Sequence, residues 1–163
     1  MTDYNIVLNQ ACRVLRSGGI FLSYEWGRCA VFDHSYLLDP AIHAPASTAF
    51  YEALSNALRI CRNLYPIADR IPSLLEESHQ FTEITAAEYR IPIGSWSPDP
   101  VWRELGRDHL EMRLRFAQSV KPLFSEAGWT SIQVEQLVTA YGHELQTVRG
   151  LVGVLYTVHA KRL

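Results

Sequence analysis

The fold is decided by residues 11–28, which read ACRVLRSGGIFLSYEWGR. A helix end with Val14 and Leu15 runs into the pair Gly18–Gly19, and glycine readily takes the left-handed conformation that ends a helix. An apolar strand over Ile20–Glu25 follows at once. Its apolar residues fall on both faces, which predicts a strand covered on both sides. The chain therefore opens with a helix–strand unit typical of the middle of an α/β sheet.

The composition predicts a single folded domain over residues 1–163. Of these 163 residues 48% are hydrophobic and 20% are charged, so the chain can bury a core of its own and does not resemble a disordered segment. The net charge is −2, and the basic residues are spread along the chain. This pattern argues against a nucleic-acid partner and against a polybasic membrane patch.

The targeting and cysteine patterns predict a cytoplasmic protein. No apolar run approaches the roughly 18 residues that cross a bilayer, and MTDYNIVLNQ at the N-terminus lacks the regions of a signal peptide. Cys12, Cys29 and Cys61 are odd in number and form no CxxC motif. We therefore expect reduced thiols and no metal site.

The remaining patterns predict an open α/β sheet of about three strands with five or six helices. The elements expected before residue 92 are helices over 4–16, 48–64 (capped by Ser47) and 72–79, and a strand over 81–91. The strand Ile20–Glu25 is expected to end in Trp26-Gly27-Arg28, and an irregular segment follows to about Pro45. After the proline-rich loop 92–100, Asp99 caps a long helix that ends at Gly128. A further helix starts at Ser131, and residues 150–160 form the last strand or, alternatively, continue that helix.

Two motifs at this separation resemble one protein family. The run CRVLRSGGIFLSYEWGR (12–28) resembles the helix–strand unit ending in LxPGG that opens the second half of class I S-adenosylmethionine-dependent methyltransferases. The run PIGSWSPDPVWRELG (92–106), followed by a long helix and a Gly-Trp turn, is similar to a loop of the fungal subgroup tied to secondary metabolism.

The resemblance implies a truncated Rossmann-like methyltransferase fold. Ile20–Glu25, Phe81–Ile91 and Leu151–Ala160 would correspond to the fifth, sixth and antiparallel seventh strands of the family. Residues 1–98 would form the αβ core with its pocket-lining loop, residues 99–148 a helical lid inserted before the last strand, and residues 149–163 that strand.

The segments with which this family binds its cofactor have no counterpart in the sequence. The pair Gly18–Gly19 follows a helix, and neither it nor Gly150 with Gly153 has the strand–turn–helix setting that cradles a ligand. Ser17 also replaces the proline of LxPGG. We therefore expect that the chain alone binds no S-adenosylmethionine, and we predict no cofactor.

The expected site lies beyond the carboxyl end of the strand Ile20–Glu25, where open sheets bind ligands. The catalytic candidates are Glu25, His34, His43 and Tyr51. A carboxylate at a strand end can act as a base, loop histidines titrate near neutral pH, and a tyrosine can donate a proton. The alternatives are an ion pair of Glu25 with Arg28, solvated histidines and a packed tyrosine.

Six further residues are candidates for binding the substrate. Most are aromatic, and aromatic side chains near a sheet suit an apolar small molecule, although they suit packing equally well. These candidates are Tyr24, Trp26, Arg28, Tyr36, Trp96 and Trp102.

Two functions follow from these expectations. The first is a methyltransferase-like protein of secondary metabolism that binds a small apolar metabolite and catalyses a cofactor-independent cyclisation, isomerisation or dehydration. The second is a non-catalytic subunit that complements a split methyltransferase, and an inactive truncated product is a third possibility. The open edge of the first strand predicts a homodimer or a complementing chain as partner.

Overall fold

A computed structural model gives the fold of residues 4–163. The expectation of no signal peptide concerns in part residues 1–3, which lie outside the described residues. The α-helices are α1 (Tyr4–Val14), α2 (Pro40–His43), α3 (Pro45–Arg62), α4 (Ile71–Ser78), α5 (Pro100–Ser119), α6 (Lys121–Glu126) and α7 (Ser131–Thr147). The strands are β1 (Ile20–Phe32), β2 (Phe81–Pro92) and β3 (Leu151–Arg162). Two short 3₁₀ helices cover His34–Tyr36 and Ala68–Arg70.

The three strands form one sheet in the order β1-β3-β2. The amide of Gly18 donates to Arg162 (2.9 Å) and that of Asp33 to Gly150 (2.8 Å), so the start of β1 lies beside the end of β3. The amide of Ile93 donates to Leu151 (2.8 Å) at the far end of β2. The last strand therefore runs antiparallel to both neighbours, and the predicted α/β class with a final antiparallel strand is confirmed.

Strand β1 is longer than predicted. Trp26 and Gly27 do not end it, and the strand continues to Phe32. The reason is a second alternating run, in which Ala30 and Phe32 are buried while Cys29 is exposed. The buried positions change from the odd-numbered Ser23 to the even-numbered Ala30 and Phe32 along the strand.

The prediction that the first part of β1 is covered on both faces is wrong. Ile20 and Leu22 are more than half exposed, whereas Phe21 is partly buried and Ser23 is buried. Helices α1 and α4 supply the core residues on the covered side of the strand. No described helix buries Ile20 and Leu22, so only one face is shielded from water.

The chain divides into two compact units. Unit 1 contains the described part of Met1–Gly27 together with Tyr65–Tyr89 and Leu155–Leu163, and unit 2 contains Arg28–Leu64 and Arg90–Val154. The core of unit 1 joins α1 and α4 to the strands through Leu8, Cys12, Ile71, Leu75, Phe81, Val158 and Ala160. Burial raises the pKa of the Cys12 thiol, and the three cysteines are all free.

The core of unit 2 is a cluster of helices. The rings of Phe50 and Tyr141 stack at 4.0 Å with an angle of 5° between their planes, and this pair joins α3 to α7. Phe124 of α6 contacts Phe50 edge-on at 5.8 Å. All three rings are essentially inaccessible to solvent. Aromatic packing of this kind contributes through buried area and through ring geometry.

The start of α3 differs from the prediction. Ser47 is not its N-cap but its third residue, since Pro45 opens the helix. The carboxylate of Glu144 in α7 accepts hydrogen bonds from the amides of Ser47 (2.6 Å) and Ala46 (2.9 Å). A side chain from a distant helix thus satisfies the first-turn donors that a local cap residue would otherwise satisfy.

The predicted long helix is divided in two. Asp99 caps its start as expected, accepting from the amides of Val101 (2.8 Å) and Trp102 (3.1 Å). The helix then breaks at Val120, because Pro122 lacks an amide and its ring clashes with the preceding turn. Gly128 follows α6 with a φ of +95°, as predicted.

Residues 151–162 form a strand, so the alternative of a continued helix is wrong. No helix within residues 4–163 has both the length and the apolar character needed to cross a membrane.

Gly106 provides a test of the contact between α5 and the loop that follows β2. A Cβ at this position would lie 2.3 Å from the carbonyl oxygen of Gly94, a backbone atom that cannot move cheaply. We expect Gly106→Ala to lower the free energy of unfolding by about 1–3 kcal/mol, measured by urea denaturation.

Gly142→Ala is the matched control. Its Cβ would lie 3.2 Å from the flexible Leu114 Cδ2, and alanine gains up to about 1 kcal/mol of helix propensity. We expect unchanged or increased stability. A comparable loss for both variants would contradict the backbone clash at Gly106.

Candidate functional site

Three of the predicted site residues lie together in unit 2. Tyr36 and Trp96 contact edge-to-face with ring centroids 5.7 Å apart. Phe32 lies 6.4 Å from Tyr36 and 6.4 Å from His43, and it meets the histidine ring edge-on. We call this group of Phe32, Tyr36, His43 and Trp96 the aromatic site. It draws on the end of β1, the 3₁₀ helix after it, the end of α2 and the loop after β2.

Two aspartates set the local backbone that carries Tyr36 and His43. Asp33 accepts from the amide of Ser35 (3.0 Å) and from its hydroxyl (2.6 Å), which starts the 3₁₀ helix. These two hydrogen bonds hold the pKa of Asp33 below its ordinary value. Asp39 accepts from the amide of Ala41 (2.9 Å) and caps α2. The segment therefore folds on short-range signals.

Trp96 and Tyr36 are held by the backbone around β3. The Trp96 indole Nε1 donates to the carbonyl of Leu151 at 3.0 Å. The Tyr36 ring lies against Gly150, where an added Cβ would approach Tyr36 Cδ2 to 2.7 Å. Gly150 also has a φ of +89°, so both space and conformation favour glycine there. The two rings are half-buried.

Apolar side chains are exposed in the same segment. Leu37 is 95% exposed and has a φ of +36°, and Ile42 is 70% exposed. Leu38 is also exposed. We call these three residues the apolar rim. Exposed apolar groups near half-buried rings are typical of a surface that binds an apolar ligand or a partner.

Two side chains of the aromatic site carry groups of the acid–base type, an imidazole and a phenol. His43 is exposed at the last residue of α2, so its imidazole is accessible to solvent and to a bound molecule. Tyr36 is half-buried and carries a phenol. Within residues 4–163, no group of three or more His, Cys, Asp or Glu side chains is placed to hold a metal ion.

The other candidates on β1 lie outside the aromatic site. Tyr24, Glu25 and Trp26 belong to unit 1 and are exposed. Glu25 is in the middle of β1, so the prediction that it stands at a strand end is wrong. Arg28 is exposed within the same strand, in unit 2.

The remaining candidates are also dispersed. His34 is exposed on the 3₁₀ helix, and Trp102 is exposed in the first turn of α5. Tyr51, by contrast, is buried in a hydrogen-bond network in unit 2.

This network was not predicted from the sequence. Arg113 donates from Nη1 to the Tyr51 hydroxyl (2.5 Å) and from Nε to His109 Nε2 (2.9 Å). The other ring nitrogen of His109, Nδ1, lies 2.8 Å from the carbonyl of Pro92 and donates to it, because Nε2 accepts from Arg113. The Tyr51 and Tyr141 hydroxyls lie 3.1 Å apart. The network links α3, α5 and α7 to the end of β2.

His109 and Arg113 are both buried side chains of α5, since each is 4% exposed. The buried stripe of α5 consists of Gly106, His109, Arg113 and Ala117. These positions are spaced by three or four residues and so lie on one face of the helix. The small residues Gly106 and Ala117 at the two ends of this face were the sequence signal that it is buried. Because the network is closed to solvent, we infer that it stabilises the fold and does not bind substrate.

Burial governs the protonation of the network. Desolvation, followed by the nearby Arg113 charge, lowers the pKa of His109 to about 4. Burial also raises the pKa of Tyr141. His109 is therefore neutral at pH 7, as its acceptance of a hydrogen bond from Arg113 requires.

A cavity of about 270 Å³ lies in unit 1. Its lining combines small apolar residues with the polar side chains of Ser23, Asp69, Glu88, Tyr156 and Thr157. None of the predicted site residues lines it. The cavity is therefore separate from the aromatic site.

His109 predicts a pH dependence of stability. An ordinary histidine has a pKa of 6.5 and the folded protein lowers it to about 4, so the unfolded chain binds the proton more tightly. The free energy of unfolding should therefore fall as the pH falls from 6.5 towards 4, by about 3 kcal/mol.

The measurement is urea unfolding across this pH range for the wild type and for His109→Gln, which removes the titrating group. The wild-type curve should be steeper. His159→Gln, at an exposed histidine of β3, is the matched control for the loss of a histidine. Parallel curves for the wild type and His109→Gln would contradict the lowered pKa.

No family model matches the chain, and no curated protein matches it.

Proposed function

We propose that the chain is a methyltransferase-like protein that binds a small apolar metabolite at the aromatic site. It then catalyses a cofactor-independent step on this metabolite, such as cyclisation, isomerisation or dehydration. The metabolite would be of the polyketide or terpenoid type that the motif resemblance implies. His43 is the acid–base group proposed for the step, and Tyr36 is a second proton donor.

The observation that carries the proposal is the Tyr36–Trp96 ring pair at 5.7 Å. The leucine and isoleucine side chains that follow Tyr36 in the sequence are exposed. A flat apolar molecule can cover these surfaces and remove them from water, which is favourable at about 25 cal/mol per Å². His43 packs edge-on to Phe32 in the same group, so a molecule bound there is within reach of an imidazole.

The sheet supports the methyltransferase resemblance. Strand β3 lies between β1 and β2 and is antiparallel to both. The resemblance assigns these strands to the fifth, sixth and antiparallel seventh positions of the family, in agreement with that direction. The helices α5–α7 lie in sequence between β2 and β3, where the helical insertion is expected.

A complementing subunit is the second candidate, and the exposure of Ile20 and Leu22 on β1 favours it. A partner with the family's glycine-rich strand–turn–helix would pair with β1 and supply the cofactor site. S-adenosylmethionine binding would then require both chains.

Ligand binding tests the first candidate. We expect 1-naphthol, a bicyclic phenol of the relevant size, to bind the purified protein in calorimetry. The double variant Leu37→Lys with Ile42→Lys replaces two exposed apolar side chains by charged ones. It should raise the dissociation constant at least tenfold, which is a loss of about 1.4 kcal/mol of binding free energy. Both residues are exposed, so the fold should tolerate the change.

Ile60→Lys is the matched control, because Ile60 is 62% exposed on α3 outside the aromatic site. It should leave binding unchanged. His43→Gln should retain 1-naphthol binding and lose turnover of a pathway intermediate. Absence of binding, or equal weakening by Ile60→Lys, would contradict the proposed site.

Calorimetry with S-adenosylmethionine separates the two candidates. We expect no binding heat from the chain alone, because no residue of the sequence corresponds to the family's glycine-rich turn. Binding that returns only on addition of a glycine-motif chain would favour the complementing subunit. Tight binding by the chain alone would overturn both candidates.

A further inference from the structure

The cavity of about 270 Å³ in unit 1 has a buried apolar floor. Ala68, Ile71 and Val158 line it, and each is almost inaccessible to solvent. Val158 belongs to the same core cluster as Ile71, so the cavity lies on the sheet face that α4 covers. The volume corresponds to about nine water molecules at ~30 Å³ each, which is the space of a molecule with roughly ten non-hydrogen atoms.

Small side chains of the sheet leave this space open. Ser23 of β1 and Ala86 of β2 both line the cavity. At these positions larger side chains would fill the volume, as they do in a close-packed core. Because the apolar residues of the floor lack these packing partners, a bound molecule with an apolar part would restore the missing contacts.

The exposed part of the lining carries two carboxylates. Asp69 and Glu88 both line the cavity and are both exposed. Glu88 is two residues from Ala86 along β2, so the two side chains lie on the same face of the sheet. Among the described residues, no lysine, arginine or histidine lines the cavity. Its charged groups are therefore all acidic.

The polar groups of the lining can accept further hydrogen bonds. Asp69 and Glu88 also interact with other groups of the protein, and each carboxylate offers about four lone-pair sites. Ser23, Tyr156 and Thr157 add hydroxyl groups. The Thr157 hydroxyl donates to the carbonyl of Ala87 (3.4 Å), so its oxygen remains an acceptor.

We propose that this cavity binds a small amine, with its ammonium group at Asp69 and Glu88 and its apolar body on the floor. Hydrogen bonds from an ammonium group to a carboxylate are charge-assisted and stronger than neutral ones. A carboxylate ligand would instead be repelled. The cavity shares no residue with the aromatic site, so the inference does not depend on the proposed metabolite chemistry.

The floor selects an organic cation over an inorganic one. Removing apolar surface from water is favourable, and only a ligand with a hydrocarbon part gains this contribution from Ala68, Ile71 and Val158. Within residues 4–163, the cavity included, no three His, Cys, Asp or Glu side chains are grouped to ligate a metal ion. An amine with an apolar body therefore fits the lining better than a metal ion.

Benzylamine, which joins an ammonium group to a benzene ring, is the probe for this site. We expect its addition to the isotope-labelled full chain to shift the backbone amide signals of residues 86–88 and 156–158 in NMR spectra. The dissociation constant should be at or below about 1 mM, as suits a ligand of about eight non-hydrogen atoms. Benzyl alcohol should bind about threefold more weakly or worse, and benzoate should leave these signals unchanged.

Two variants test the role of the carboxylates. Asp69→Asn with Glu88→Gln removes both charges and should raise the dissociation constant of benzylamine by about fivefold or more, without weakening benzyl alcohol. Glu77→Gln is the matched control, because Glu77 is an exposed carboxylate of α4 that does not line the cavity. It should leave binding unchanged. Circular dichroism checks that both variants fold.

The comparison of the three ligands uses only the wild type, so it stands even where the double variant fails to fold. Absence of shifts at residues 86–88 and 156–158 on addition of benzylamine would overturn the proposal. Equal affinity for benzylamine and benzyl alcohol, or equal weakening by Glu77→Gln and by the double variant, would also overturn it.

Discussion

Pairing of β3 on both of its edges is the constraint on which the rest of the structure depends. This strand, Leu151–Arg162, has β1 on one side and β2 on the other, so both neighbours take their register from it. Its first four residues are buried. At Gly153 an added Cβ would approach Arg113 Nη2 to 2.5 Å, so the absence of a side chain lets the guanidinium lie against the strand.

The polar interior of unit 2 is held together by hydrogen bonds between residues that are distant in sequence. Arg113 reaches the Tyr51 hydroxyl across 62 positions of sequence, and Glu144 reaches the first turn of α3 across 97. Removing one partner from such a network leaves a buried polar group unsatisfied, which costs more than the bond itself contributes. A network of this kind ties the helices to one arrangement, whereas apolar contacts alone tolerate several.

The aromatic site and the exposed apolar face of β1, with Ile20 and Leu22, have different origins. The aromatic site depends on neighbouring residues, because Asp33 and Asp39 each fix a short turn and bring Tyr36 and His43 into place. The exposed face of β1 depends on which helices are available to cover the sheet. Its apolar side chains remain in water because α1 and α4 supply their core residues to the opposite face. One is a candidate for ligand binding and the other for association.

The sequence by itself determined the order of helices and strands, since most of their boundaries depend on local chemistry. Asp99 caps α5, the prolines at 92 and 100 bound the loop 93–99, and Gly128 takes the left-handed conformation after α6. Only the tertiary structure decided which side chains are buried. Ile20 is exposed and Arg113 is enclosed, against their polarity, because burial depends on partners distant in the chain. Local pattern cannot supply those partners, and so it could not predict the network, the bare face of β1 or the grouping of Tyr36, His43 and Trp96.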